Sequence, residues 1–181
     1  MAGSAASEKP DGGVPDGGAP DPIAGYAPAE ERPPLLSYGA MALLFNALFG
    51  AALLLIRRSG RELPERVHER DVFLIGTATH KLARLIAKEK VTAVLRSPFT
   101  ELQGKGGPAE FEERARGTGV RRAIGELLVC PWCIGLWIAA ALSIGLAVAP
   151  RLTRFVAAVF TALTISDFLQ LAYKAAERRG L

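Results

Sequence analysis

Two cysteines are the residues whose type and spacing point most directly to chemistry. Cys130 and Cys133 are three positions apart and open an uncharged run, CPWCIGLWIAAALSIGLAVA, at residues 130–149. A helix that begins at Pro131 would place both sulfur atoms on one side, and its N-terminal dipole would favour a thiolate at Cys130. Redox dithiols use this arrangement, with Cys130 attacking and Cys133 resolving. The strand that leads into such a motif in thioredoxins is not predicted here, because a charged loop precedes the cysteines.

The same thiols admit two other roles. A structural zinc site needs four ligands, so Cys130 and Cys133 would bind a metal only if two copies of the chain shared their thiolates. The alternative is a structural or interfacial role with reduced thiols. A lone Cys-X-X-Cys pair is a weak signal, and the sequence leaves these roles open. We predict no cofactor and no metal site within a single chain.

Asp167 is the second group that needs an explanation, because it lies in an apolar run at residues 155–173. A carboxylate in hydrocarbon is costly unless it is paired or protonated. One interpretation is a proton or ion pathway through a small transporter. We favour a structural ion pair with Arg84 or Lys81, because a single acid without a second buried acid or histidine makes a poor relay. His80 is the nearest titrating candidate, but it lies among basic residues that disfavour its protonation.

Three apolar runs must position these groups. Residues 38–56, 131–149 and 155–173 are each 19 residues long, which is about 28 Å of helix and close to the hydrocarbon thickness of a bilayer. We therefore predict an all-α integral membrane protein with about three transmembrane helices. Trp132 lies at the expected aromatic belt and Trp137 one or two turns deeper, so both are predicted interface anchors.

A fourth helix, predicted over residues 71–88, is amphipathic. One side is polar and basic, and it carries Thr77, His80, Lys81, Arg84 and Lys88. The opposite side is apolar. Such a helix either lies in the membrane interface, with its Lys and Arg reaching anionic lipid headgroups, or inserts part-way and packs on the spans.

Charge distribution predicts the partners and the topology. The net charge is +4 over 181 residues, but Lys and Arg flank the apolar runs, so lipid headgroups are expected partners and nucleic acid is not. Insertion of Lys81 and Arg84 into hydrocarbon would cost about 2.5 kcal/mol or more each. Residues 57–126 are therefore predicted to stay on one side. This gives a multi-pass protein of the cell membrane with its N-terminus outside and its C-terminus in the cytoplasm.

The remaining segments are predicted from composition. Residues 1–37 are rich in Gly, Pro, Ala and acids and predict a disordered tail. Residues 57–70 form a charged linker and residues 175–181 a basic tail. Residues 97–125 are predicted to be a cytoplasmic loop with a flexible turn at residues 104–108 and about two helical turns at residues 110–116.

The segment THKLARLIAKEKVTAVLRSPF at residues 79–99, the segment GELLVCPWCIGLW at residues 125–137 and the last apolar run together resemble a bacterial family, domain of unknown function 1360. The resemblance covers about residues 71–174. It is most specific in the basic Arg84-Leu85-Ile86 helix followed by Cys130-Pro131, Cys133 and Trp137. It implies a small integral membrane protein, with a sporulation link for some relatives. It implies no established activity and no catalytic residues.

The sequence predicts most directly a non-enzymatic membrane component or interaction scaffold, which self-associates or binds another membrane protein. The first alternative is a membrane dithiol–disulfide oxidoreductase that uses Cys130 and Cys133. The second is a small transporter or proton-coupled subunit that uses Asp167.

Overall fold

The computed structural model describes residues 26, 33–61, 63 and 66–180. They form nine elements: α1 (Leu35–Arg58), α2 (Glu69–Lys88), a 3-10 turn (Lys90–Thr92), α3 (Ala93–Arg96), β1 (Thr100–Lys105), β2 (Phe111–Ala115), α4 (Gly119–Val129), α5 (Pro131–Val148) and α6 (Pro150–Arg178). All belong to the compact unit Pro34–Leu181, which is distinct from the unit Met1–Pro33. The predicted all-α class is confirmed. The predicted disordered tail at 1–37 lies mostly outside the described residues.

Three helices, α1, α5 and α6, are long and apolar enough to cross a membrane. Prolines set the start of two of them, because Pro131 and Pro150 occupy the first turns of α5 and α6, where a missing N–H costs nothing. Only Ala149 separates these helices. Gly145 lets them meet closely at this corner, since a Cβ there would lie 2.8 Å from Thr153 Oγ1.

The amphipathic helix α2 packs on α5 and α6 and runs parallel to α6. Four contacts along the two helices fix this register: Asp71 with Arg154, the Leu74 carbonyl with Thr161 Oγ1, the Thr77 carbonyl with Thr164 Oγ1, and Lys81 with Asp167. Small side chains at Ala78, Ala83 and Ala87 are buried and permit the close approach. Of the two predicted arrangements of α2, the structure has the one in which the helix packs on the apolar helices.

Helix α1 runs parallel to α5. The Tyr38 hydroxyl near its start bonds to Glu126 of α4, and the Phe45 ring packs edge-on to Trp137, 5.1 Å between centroids. Three spans with a non-crossing α2 would make α1 and α5 antiparallel, so the parallel packing of these two helices differs from the arrangement that the predicted three-span topology requires. Lys81 and Arg84, whose charges argued against insertion of α2, are each paired with an acid in the structure.

The segment after α2 is more structured than predicted. The expected helical turns at residues 110–116 are wrong, because Phe111–Ala115 is strand β2 and pairs antiparallel with β1, with a bulge between Leu102 and Gly104. The charged loop expected before the cysteines is also wrong, since α4 fills it. Side chains of β2 alternate between half-buried and exposed, which is the period of a strand.

Candidate functional site

The end of the four-helix bundle where α2 and α6 end and α5 begins carries a small extra layer. We call residues 89–129 the cap, and α1, α2, α5 and α6 the bundle. An isolated bridge between Glu89 and Glu110 and a hydrogen bond from Lys90 N to the Ala109 carbonyl, 3.0 Å, hold the hairpin tip against the end of α2. The hairpin tip is therefore paired with the backbone that directly follows α2.

Arg96 is the centre of the cap. Its side chain has no solvent exposure, and its Nη1 donates to the carbonyls of Ile86 at 2.7 Å and Glu89 at 3.1 Å. Its Nε pairs with Glu113 of β2. One guanidinium thus satisfies the last carbonyls of α2, which lack helical partners, and holds the hairpin at the same time. The sequence gives no sign of this role, because Arg96 is one of many basic residues.

Helix α4 closes the cap from the other side. Gly125 faces the hairpin so closely that a Cβ there would lie 2.5 Å from the Phe99 carbonyl oxygen and 2.8 Å from Ala115 Cβ. Gly117 adopts φ 83° in the turn before α4, a conformation that favours glycine. These two glycines let α4 fold back and deliver Cys130 to the start of α5.

Ion pairs link the cap to α2 and α6. Lys81 is nearly buried and lies between two carboxylates, Glu89 and Asp167, with 2.8 Å between Lys81 Nζ and Asp167 Oδ2. Arg84 pairs with Glu110 at the hairpin tip instead of with Asp167. The structure therefore brings together one of the two predicted ion-pair candidates and directs the other to the cap.

The cysteines lie where α4 meets α5. Cys130 caps the N-terminus of α5, and its sulfur accepts a hydrogen bond from the Cys133 backbone N–H at 3.2 Å. The two Cα atoms are 5.2 Å apart, with the sulfurs at disulfide distance. Cys133 is exposed and Cys130 half-buried. The pair is accessible from outside the bundle end, and an exposed disulfide of this kind is open to thiol attack.

The two tryptophans have different surroundings. Trp132, between the cysteines, is 87% exposed. Trp137 packs against Phe45 of α1. An exposed indole beside the start of a helix long enough to span a membrane suits the membrane–water interface, whereas Trp137 joins two helices of the bundle.

The ion pairs at this end of the molecule limit which side chains can take part in binding or catalysis. Among the residues that the structure describes, no group of three or more His, Cys, Asp or Glu side chains is placed to hold a metal ion. Lys81, Arg84, Lys88 and Arg96 are each paired with an acid. The group in this region suited to covalent chemistry is the cysteine pair.

Comparison with known proteins gives a family and one relative. A family model described as "Protein of unknown function (DUF1360)" matches residues 74–173. The sporulation protein YjcA of Bacillus subtilis (strain 168) is 39% identical over 87 residues, which are 46% of this chain and 74% of that protein. No solved structure matches the chain. The family match covers most of α2, the cap, the cysteine pair, α5 and most of α6, and it leaves α1 outside.

Proposed function

The chain belongs to the DUF1360 family of proteins of unknown function, and from this premise we propose that it is a non-enzymatic integral membrane component whose cap serves as an interaction platform. The main observation behind the proposal is that the charged side chains of the cap form ion pairs within it and with α2. Its buried arginine, Arg96, and the cations of α2 are paired with acids that fix the cap on the bundle. Such a network produces a rigid surface at the membrane boundary.

Apolar side chains on the cap support the platform role. Val91, Val94 and Leu95 on the 3-10 turn and α3 are 75%, 72% and 64% exposed, and Leu102 of β1 is 61% exposed. These residues lie outside the apolar helices, so exposure to lipid tails does not account for them. Exposed apolar groups of this kind on a rigid element are typical of protein interaction sites. The expected partner is another membrane protein or a second copy of the chain.

The proposed topology has α2 crossing the bilayer beside α5 and α6, so that both ends of the helical part lie on the cap side. Of the 20 Lys and Arg in the described part of the chain, 13 are at the cap end. The other 7 are Arg57, Arg58, Arg61, Arg66, Arg70, Arg151 and Arg154. The positive-inside tendency then puts the cap in the cytoplasm. Cytoplasmic thiols are normally reduced, so Cys130 and Cys133 would be a dithiol at rest.

Three single cysteines test this topology in a background that carries Cys130→Ser and Cys133→Ser. Ser59→Cys reports on the end of α1, Lys105→Cys on the hairpin and Arg178→Cys on the end of α6. A membrane-impermeant maleimide tag should label Ser59→Cys in intact cells and the other two only after permeabilisation. Labelling of Ser59→Cys and Lys105→Cys from the same side would show that α2 does not cross.

The relative supplies a physiological test of the component role. The relative YjcA is named a sporulation protein. If the cap and the bundle are sufficient for that role, expression of this chain should restore sporulation to a Bacillus subtilis strain that lacks YjcA. A Cys130→Ser, Cys133→Ser double variant should restore it equally well if the protein is a scaffold. Failure of the double variant alone, at normal abundance, would favour thiol chemistry.

Dithiol–disulfide exchange is the second candidate, and the exposed cysteine pair at the start of α5 favours it. The Cys130 thiolate would attack a substrate disulfide, form a mixed disulfide and release one substrate thiolate. Cys133 would then attack Cys130 and displace the second substrate sulfur. The chain ends with a Cys130–Cys133 disulfide, and the substrate gains two electrons and becomes a dithiol. The Cys133 N–H beside Cys130 Sγ would help to stabilise the attacking thiolate.

A trapping experiment separates this candidate from the scaffold. Cys133→Ser removes the resolving thiol, so a mixed disulfide on Cys130 should accumulate and appear as a reducible band on a non-reducing gel. Cys130→Ser is the matched control and should trap none. Equal, low adduct levels in both variants would exclude exchange and leave the scaffold proposal standing.

A further inference from the structure

A lateral cavity of about 510 Å³ lies beside the cap, between α2, α6 and the tip of the hairpin. Its wall includes the deeper pair of His80 and Phe168, whose rings stack with 6.5 Å between centroids. Arg84 and Lys174 line it nearer the cap. The cavity is not used by the cysteine chemistry or by the apolar surface of the cap.

The order of side chains along α6 is apolar first and cationic last. Phe168 and Leu171 are 61% and 56% exposed beside the cavity. Lys174 comes one to two turns later, about 4–9 Å farther toward the cap at 1.5 Å per residue. A phospholipid has the same order, with acyl chains deeper than its phosphate.

The cationic side chains that line the cavity differ in whether they already have an acidic partner. Lys81 is held between two carboxylates, and Arg84 has Glu110 as a partner although its side chain is 44% exposed. Lys174 makes no hydrogen bond or ion pair with any residue in the described ranges and is exposed. Within the described ranges, the cavity therefore holds an unpaired ammonium group, and a half-exposed guanidinium lies in the same wall.

We propose that this cavity binds the headgroup of an anionic phospholipid, with Lys174 and Arg84 on the phosphate and an acyl chain along Phe168 and Leu171. The inference rests on the proposed membrane location and adds a defined lipid site to it. Charge-assisted hydrogen bonds to phosphate are the strong polar contacts available to these two side chains. A bound lipid would connect α2, α6 and the hairpin tip, so it would stabilise the attachment of the cap.

The test uses the full chain purified in a mild detergent and titrated with phosphatidylglycerol, with thermal stability and native mass spectrometry as readouts. Phosphatidylglycerol should bind and raise the melting temperature. Lys174→Gln should weaken binding about fivefold, as expected for loss of one exposed charge contact. Arg178→Gln, one turn farther along α6 and outside the cavity, is the matched control and should bind as the wild type does.

Two further probes distinguish the sources of binding. Inorganic phosphate lacks acyl chains and diacylglycerol lacks the phosphate, and neither should reproduce the effect. Equal stabilisation by inorganic phosphate would mean a free-anion site, and equal stabilisation by diacylglycerol would mean an apolar groove; either overturns the proposal. So does unchanged phosphatidylglycerol binding in Lys174→Gln. Resistance of the protein to alkaline carbonate extraction is measured in parallel, so that failure of the lipid site is separate from failure of the membrane proposal.

Discussion

The bundle and the cap are held together in different ways. Where α2 meets α6, most of the buried residues are small or carry a hydroxyl, as at Ala78, Ala157, Thr161 and Thr164, and the two buried charged residues of α2 have ion-pair partners on α6. In the cap the largest fully buried side chain is Arg96. The bundle thus resembles membrane helices that approach closely through small side chains, while the cap is organised around a charge.

With the proposed membrane location, this difference follows from the solvent that each region meets. Apolar side chains between helices gain little from contact when lipid tails are the alternative, so close backbone approach and a few hydrogen bonds determine the packing. The cap has too few buried apolar residues for a core of its own, because Val94, Leu95 and Leu102 face outward. A buried ion pair that also satisfies backbone carbonyls replaces that core. Removal of charge should therefore damage the cap far more than the bundle.

Arg96→Met should have the largest effect. The change leaves Glu113 and the last carbonyls of α2 buried without their partner, and removal of one member of a buried pair typically costs about 3–5 kcal/mol. We expect β1 and β2 to lose protection from amide hydrogen exchange while α5 and α6 keep theirs. Arg114→Gln, which removes an arginine that is 71% exposed, is the control. Equal loss of protection in the bundle would contradict the independence of the two regions.

Gly125→Ala tests the cap by overpacking. The new methyl group would lie 2.5 Å from the Phe99 carbonyl oxygen, and extra atoms in a packed site cost about 1–3 kcal/mol. Limited proteolysis of the hairpin should become faster. Gly76→Ala in α2, where nothing lies within 4 Å of the added Cβ, should leave proteolysis unchanged or slow it. Similar behaviour of both variants would mean that Gly125 does not hold α4 to the hairpin.

Asp71→Asn sharpens the comparison within the bundle. Asp71 accepts two hydrogen bonds from Arg154, at 2.9 and 2.8 Å, and its side chain is 6% exposed, whereas that of Arg154 is 44% exposed. Partial exposure of the arginine screens the pair, so we expect a loss of about 1–2 kcal/mol in the free energy of unfolding. Thermal unfolding in detergent measures it. The double variant with Arg154→Gln should lose little more than Asp71→Asn alone, and full additivity would contradict a direct contact.

The sequence predicted the parts of the fold that depend on local composition. The three apolar helices follow from run length, and Pro131 marks the start of α5, whereas α6 begins at Pro150, five residues before the predicted start at residue 155. The family was predicted from the spacing around Cys130 and Trp137 and is confirmed. These features are readable because each depends on residues close together in the chain.

The cap and the direction of α1 could not be predicted in the same way. The side chains of β2 show the inward–outward alternation of a strand only when Glu113 is placed on the inward side. Glu113 points inward because it pairs with Arg96, 17 positions earlier in the chain, and a local pattern does not contain that contact. The direction of α1 relative to α5 depends on how α2 packs between them in the chain. That packing depends on ion-pair partners far away in the sequence: the partner of Lys81 is 86 positions away and the partner of Asp71 is 83 positions away. Charge counting treats each lysine as unpaired, whereas the structure pairs Lys81 with Glu89 and Asp167.

The smallest effect is expected from the ion pair between Lys81 and Asp167. Its partners differ in exposure, at 10% for the lysine side chain and 49% for the aspartate, and Glu89 also holds the lysine. Asp167→Asn should therefore lower the free energy of unfolding by only about 0.5–1 kcal/mol, measured by thermal unfolding in detergent.

A double-mutant cycle identifies the partner of Asp167 and tests the ion-pathway alternative. Asp167→Asn combined with Lys81→Met should be less than additive, because the two side chains are in contact, whereas its combination with Arg84→Gln should be additive, since Arg84 binds Glu110. Coupling to Arg84 instead would mean that the hairpin tip does not sit on α2 as described. If Asp167→Asn left stability unchanged but abolished complementation in the YjcA-deficient strain, the acid would have a functional role beyond pairing, and the ion-pathway alternative would replace the structural one.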